Sequence, residues 1–139
     1  MVQPSLKIPG HVAILMDGND LWAKAHGVSL EQGHAAGAET LMHITRECIH
    51  FGIHYLTVSA FSQVDWSGTD EALTRLMTVW ESRIDNDLAA ITLEGTQIRT
   101  LGRMETLPAE LQQKIKHSNN VTSKGTNIVL TIAWNYSGR

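Results

Sequence analysis

Four short apolar runs separated by stretches of helical periodicity constrain this chain more than any other feature. The runs are Ile14 to Met16, Tyr55 to Phe61, Gln97 to Gly102 and Asn127 to Trp134. Strand-length segments rich in β-branched and aromatic residues, alternating with amphipathic helical patterns, specify an α/β domain with a largely parallel sheet flanked by helices. Between the first two runs, Ala38, Leu41, Ile44, Cys48 and Phe51 recur at three- and four-residue spacing and predict a helix over 37–51, with Gly52 as its stop. A longer pattern follows the loop 62–69: Leu73, Leu76, Met77, Trp80, Ile84, Leu88 and Ile91. Pro108 opens a further helix carrying Leu111 and Ile115. The last run, Ile128-Val-Leu-Thr-Ile-Ala-Trp134, has no helical pattern after it. Such a strand needs a helix over its second face and a neighbour on its open edge. The expectation is a fold incomplete at its C-terminal end, either a fragment or one completed by another chain.

The 139 residues predict one domain over 1–139. A net charge of −3 with no lysine-arginine run argues against a general nucleic-acid binder, so any phosphate binding must be local. No segment approaches the ~20 apolar residues of a bilayer span, which leaves at most peripheral membrane contact. The single cysteine, Cys48, excludes an internal disulfide and fits a reducing, cytoplasmic setting; its helical position suggests a small buried hydrophobe.

In open α/β sheets ligands lie beyond the carboxyl ends of the strands, and the polar signatures fall there. The first run leads into Asp17-Gly18-Asn19, a tight turn and N-cap for a helix from Leu21 to Ala25. The second leads into Ser62-Gln63-Val-Asp65-Trp66, the third into Arg103 and the fourth into Asn135-Tyr136-Ser-Gly-Arg139. An Asp beside a helix N-terminus suits Mg²⁺, which takes one or two carboxylates and shares its shell with water and substrate phosphates. By itself Asp17 reads equally well as a turn or cap residue. Core packing accounts for at least two of Trp22, Trp66 and Trp80. His43, His50 and His54 lack zinc spacing and read as surface residues. Gly33-His34-Ala-Ala-Gly37 is not a dinucleotide fingerprint; its glycines let a helix start close to neighbouring backbone.

Taken together, His11-x4-Met16-Asp17-Gly18-Asn19-x2-Trp22-Ala23, Gly33-His34-x2-Gly37, Phe61-Ser62-x3-Trp66 and Asn135-Tyr136-x-Gly138-Arg139 resemble, in order and spacing, the cis-prenyltransferases of the undecaprenyl diphosphate synthase type. The resemblance implies a homodimeric, Mg²⁺-dependent transferase that condenses isopentenyl diphosphate with an allylic diphosphate. Asp17 would be the catalytic, metal-holding carboxylate. Gly18, Asn19, Trp22, His34, Phe61, Ser62, Trp66 and Arg139 would bind the diphosphate substrates. Leu76, Met77, Trp80 and Ile84 would line the tunnel for the growing chain, although the same face also suits ordinary core. Three arginines of the family pattern are replaced, by Leu21, Leu30 and Gly68, and the asparagine before Trp66 is Asp65. Asp20 adds negative charge where a diphosphate is expected. Each lost arginine–phosphate contact costs ~1.5–3 kcal/mol. Two functions follow: a prenyltransferase subunit whose remaining half comes from a second polypeptide, or a non-catalytic member that stabilises or regulates an active partner.

Overall fold

In the computed structural model, which describes residues 5–61 and 70–136, the four expected strands form and pair entirely in parallel. They are β1 (His11–Leu15), β2 (Tyr55–Phe61), β3 (Thr96–Gly102) and β4 (Ile128–Trp134), in the order β1-β2-β4-β3. The last strand is therefore central. Leu56 of β2 and Ile98 of β3 flank its Leu130 in register. This corrects the expected open edge on the last strand: the sheet edges are β1 and β3, and β4 has a partner on both sides.

The unburied second face is real, however, and it belongs to the whole sheet. Val12, Ile14, Leu56, Val58, Ile98, Ile128, Leu130, Ile132 and Trp134 point to one side and enter the core with residues of the helices. The alternate residues form the other side, where Leu15 is 75% and Tyr55 52% exposed and Thr57, Thr131 and Val129 are half-buried. His11 and Thr57 hydrogen-bond there across β1 and β2, His11 Nε2 to Thr57 Oγ1 at 2.8 Å. Side chains alternate along a strand, so helices on one side leave much of the other face to solvent, although Ala133 on that face is buried.

The helices are α1 (Asn19–His26), α2 (Leu30–His50), α3 (Asp70–Leu93) and α4 (Ala109–Val121). The second begins seven residues before the predicted start. Ser29 Oγ accepts from Gln32 N at 3.2 Å and Gln32 Oε1 from Ser29 N at 2.9 Å, a capping box that fixes the helix start well before its first regular apolar spacing. Cys48 is buried in its last turns, and His43, His50 and His54 are exposed, as predicted. Ion pairs tie α2 to α3 and to the residue just after it: Arg75 Nε–Glu31 Oε1 at 3.3 Å, Arg83 Nη2–Glu39 Oε2 at 2.7 Å and Arg46 Nε–Glu94 Oε1 at 2.7 Å. Beneath them Trp80 meets the fully buried Trp134 edge to face, 5.0 Å apart. No helix among the described residues is long and apolar enough to cross a membrane.

Candidate diphosphate site

β1 ends at Leu15, and the chain reverses into α1 within three residues. Gly18 makes this possible by taking the N-cap position at φ 89°, ψ 7°, a left-handed conformation natural to glycine. The cap makes no side-chain hydrogen bond, contrary to the capping side chain expected from Asp17-Gly18-Asn19. The first backbone N–H groups of α1 are thus not taken up by a capping side chain, and the Asp17 carboxylate lies exposed beside them.

A second close approach builds the opposite wall. A Cβ on Gly33 would meet the Asn19 carbonyl oxygen at 2.5 Å and Ala23 Cβ at 2.8 Å, while one on Gly37 would meet Asn19 Oδ1 at 2.6 Å. The two glycines lie inside α2, one turn apart, and seat α1 against it. They do not serve the helix start, which Ser29 caps. The result is a cleft at the carboxyl end of β1, lined by Met16, Asp17, Gly18, Asn19 and Trp22 on one side and Gly33, Ala36, Gly37 and Thr40 on the other.

His34 stands next to this cleft. Asn19 Nδ2 lies 3.5 Å from His34 Nδ1, a long contact that places the amide beside the ring. Burial lowers the His34 pKa from its ordinary value, against Asp20 and Glu31, which raise it. Trp22 is 43% exposed and stacks on His26, 4.0 Å between ring centroids, with His26 Nδ1 donating to the Trp22 carbonyl at 2.8 Å.

Asp17, Gly18, Asn19, Trp22 and His34 are therefore brought together by structure. Phe61 is the last residue of β2, paired in register with Trp134 of β4. Ser62, Trp66 and Arg139 lie outside the described residues, as do Asp65 and Gly68. Leu76, Met77 and Trp80 are buried core, and Trp80 and Ile84 also line a small apolar void under α2 and α3. Two wall residues, Ala36 and Thr40, escaped sequence reasoning, although each lies three residues after one of the two glycines, on the same face of a helix. Leu21 is exposed at 69%, and Asp17 and Asp20 form no ion pair among the described residues, so no cation there replaces the arginine of the family pattern. Nor do the described residues contain a group of three or more His, Cys, Asp or Glu side chains that could hold a metal.

A parallel sheet with an acid, a glycine turn and a helix start at the end of its first strand defines an α/β protein with a polar cleft at the carboxyl end of that strand. The family described as "Putative undecaprenyl diphosphate synthase" matches residues 15–139, and the chain belongs to that family, the cis-prenyltransferases. The isoprenyl transferase of Prochlorococcus marinus is 40% identical over 134 residues, which cover 96% of this chain and 50% of that protein. That of Thermotoga maritima is 37% identical over 134 residues, 96% of this chain and 58% of its own. Among solved structures, lavandulyl diphosphate synthase from Lavandula x intermedia in complex with dimethylallyl diphosphate superimposes with a TM-score of 0.88 at 29% identity, covering 94% of this chain and 56% of that one. A probable undecaprenyl diphosphate synthase from Campylobacter jejuni shares the fold, with a TM-score of 0.77 at 19% identity over 96% of this chain and 58% of its own. The chain spans about half the length of the relatives it matches.

Proposed function

We propose that this chain carries the allylic-diphosphate half of a cis-prenyltransferase, joining a five-carbon isopentenyl-type diphosphate to an allylic diphosphate. The observation that carries this reading is the cleft in which the exposed Asp17, the Gly18 turn, the start of α1 and Asn19 face the small-residue wall of α2. The donor set suits Mg²⁺. One carboxylate, without an ion pair among the described residues and beside backbone donors, leaves room for water and phosphate oxygens, which this ion retains in its shell.

In the reaction the allylic C–O bond breaks, the diphosphate departs, the alkene of the second substrate attacks the allylic carbon, and a proton is lost from the new cation. Mg²⁺ bound at Asp17 would supply electrostatic stabilisation of the departing diphosphate. The N–H groups at the start of α1 would donate to phosphate oxygens. His34, kept neutral by burial, would donate through Nε2 while Asn19 holds its other nitrogen. Trp22 would give the allyl group an apolar wall. With one of the cation positions filled by the exposed Leu21, binding would rest more heavily on the metal and the backbone donors. Phe61, Ser62, Trp66 and Arg139 remain assigned to the same rim on the strength of the motif.

The other half of the family's length, in a second polypeptide or a further segment, would cover the second sheet face around Leu15, Tyr55 and Val129. The buried Cys48 suits work in a reducing cytoplasm, with allylic and isopentenyl diphosphates as substrates and an oligomer as the active form. Asp20 and Leu21 beside Asp17 favour the second reading, a member that supports an active partner without catalysis.

Calorimetry separates the two. Binding of a non-hydrolysable allylic thiolodiphosphate that requires Mg²⁺ and disappears in Asp17→Ala supports the catalytic reading. Absence of binding in a complex that nevertheless enhances its partner's turnover supports the other.

A further inference from the structure

A second cleft opens on the same rim of the sheet, and none of the residues assigned to the diphosphate lines it. It lies beyond the carboxyl ends of β3 and β4, where α3 and α4 begin, and measures about 360 Å³ against about 320 Å³ for the cleft at β1. Two strand spacings, about 10 Å, separate the ends of β1 and β4. The chain passes from β2 to the edge at β3 and then turns back to β4, so the strand order reverses here. Crevices at such reversals are where open parallel sheets hold ligands. Leu73 and Met77 of α3 form one wall, and Leu107 and Pro108 the other. Met77 lines this cleft and not the void under α2 and α3, so the two spaces lie on different sides of α3.

Thr74, Thr106 and Asn135 complete the lining, and no charged side chain among the described residues belongs to it. Arg75, next in sequence to Thr74, is held by Glu31 at 3.3 Å and Glu71 at 2.6 Å. The rim is braced from both strands. Asn135 is buried at φ 45°, a left-handed conformation that asparagine tolerates better than most residues. Its Nδ2 donates to Thr106 Oγ1 at 3.0 Å, Thr106 Oγ1 donates to the Arg103 carbonyl at 2.7 Å, and the Arg103 N–H donates to the Trp134 carbonyl at 3.0 Å. Backbone held in sparsely populated conformations concentrates at ligand sites. The space, that of about a dozen waters, is at the small end of ligand pockets. A charged ligand would give up hydration here for no countercharge, whereas a hydroxyl can donate to Thr106 Oγ1, which accepts one bond from Asn135 and has capacity for a second. We propose that this cleft binds a small uncharged alcohol, its hydrocarbon body between the walls of α3 and of the turn before α4 and its hydroxyl on Thr106. The site is separate from the diphosphate cleft and does not depend on that reading.

Methionine labelled with ¹³C at its methyl group gives each cleft its own reporter, since Met77 lines this one and Met16 the cleft at β1. The full chain is titrated with cyclohexanol, cyclohexylamine and cyclohexanecarboxylate at pH 7, three ligands of one shape and different charge. Cyclohexanol should move the Met77 signal saturably, with half-saturation in the range of about 1–10 mM for a ligand of this size, and leave Met16 in place. The ammonium and the carboxylate should bind at least about tenfold more weakly, because neither finds a countercharge. Leu73→Phe, which fills the cleft from its open side, should weaken cyclohexanol by about tenfold. Thr106→Val should weaken it several-fold by removing the hydroxyl acceptor, and supplies the comparison if Leu73→Phe does not fold. A Met77 signal that does not move overturns the site, as do equal affinities for the three ligands, equal shifts at Met16 and Met77, or cyclohexanol affinity unchanged in the variants.

Discussion

The amide of Asn19 fills the space that a Cβ on Gly37 would occupy, with Oδ1 only 2.6 Å from that position. One residue of the motif on α1 is therefore shaped by the absence of a side chain on α2, and the two motifs act as a single object. Gly37→Ala should push the Asn19 amide away from His34 and cost roughly 1–3 kcal/mol of stability, as overpacking of a tight contact does. Gly33→Ala should cost at least as much, because its Cβ meets backbone oxygen that cannot rotate away. Urea titrations measure both. A Gly37→Ala protein of wild-type stability would mean that α1 and α2 part without penalty.

Asp17 lies exposed and forms no ion pair among the described residues, so its removal has little to disturb in the fold. Asp17→Asn should melt within about 0.5 kcal/mol of wild type, the ordinary range for surface changes. It should nevertheless lose Mg²⁺-dependent binding of a prenyl thiolodiphosphate, as wild type does in excess chelator. Equal binding by the variant with and without Mg²⁺ would remove Asp17 from the metal role.

His34 links stability to pH with a definite sign. Its folded pKa is lowered by burial, so the unfolded chain takes up a proton at higher pH than the native one. Stability from this residue is complete above the unfolded value of ~6.5 and declines as pH falls toward the lower folded pKa. His34→Gln should flatten that part of the profile in denaturant titrations run between about pH 5 and 7. An identical slope in wild type and variant would contradict the assignment.

Thr122 closes α4 onto the edge strand. Its buried hydroxyl accepts from the Ile98 backbone N–H at 2.9 Å and donates to the Ser118 carbonyl at 2.7 Å. Thr122→Val keeps the shape but leaves the Ile98 N–H unpaired in the interior, a loss of about 1–3 kcal/mol. The midpoint of urea unfolding should fall while the slope stays unchanged.

Strand number, strand type and helix sequence were legible because they depend on local pattern. Tyr55–Phe61 is β2 as predicted, and the long spacing from Leu73 to Ile91 is α3. Pairing order was not legible. The open-edge reading of the last run failed because nothing in Ile128 to Trp134 records that β2 and β3 leave a gap for it between them. Within the site, Asp17, Gly18 and Asn19 could be read from one continuous motif. Ala36 and Thr40 join them only when α2 is laid beside α1, since their contribution is the small size of a face that no single segment reveals.

The sequence by itself determined the parallel α/β class, the acid–glycine–asparagine turn and the family to which they belong, because each is written in residues adjacent along the chain. Tertiary structure alone decided that β4 is central, that the helices gather on one side of the sheet, and that Gly33 and Gly37 seat α1 against α2. Those facts depend on which distant segments touch, and packing of whole faces settles that where local propensity is silent.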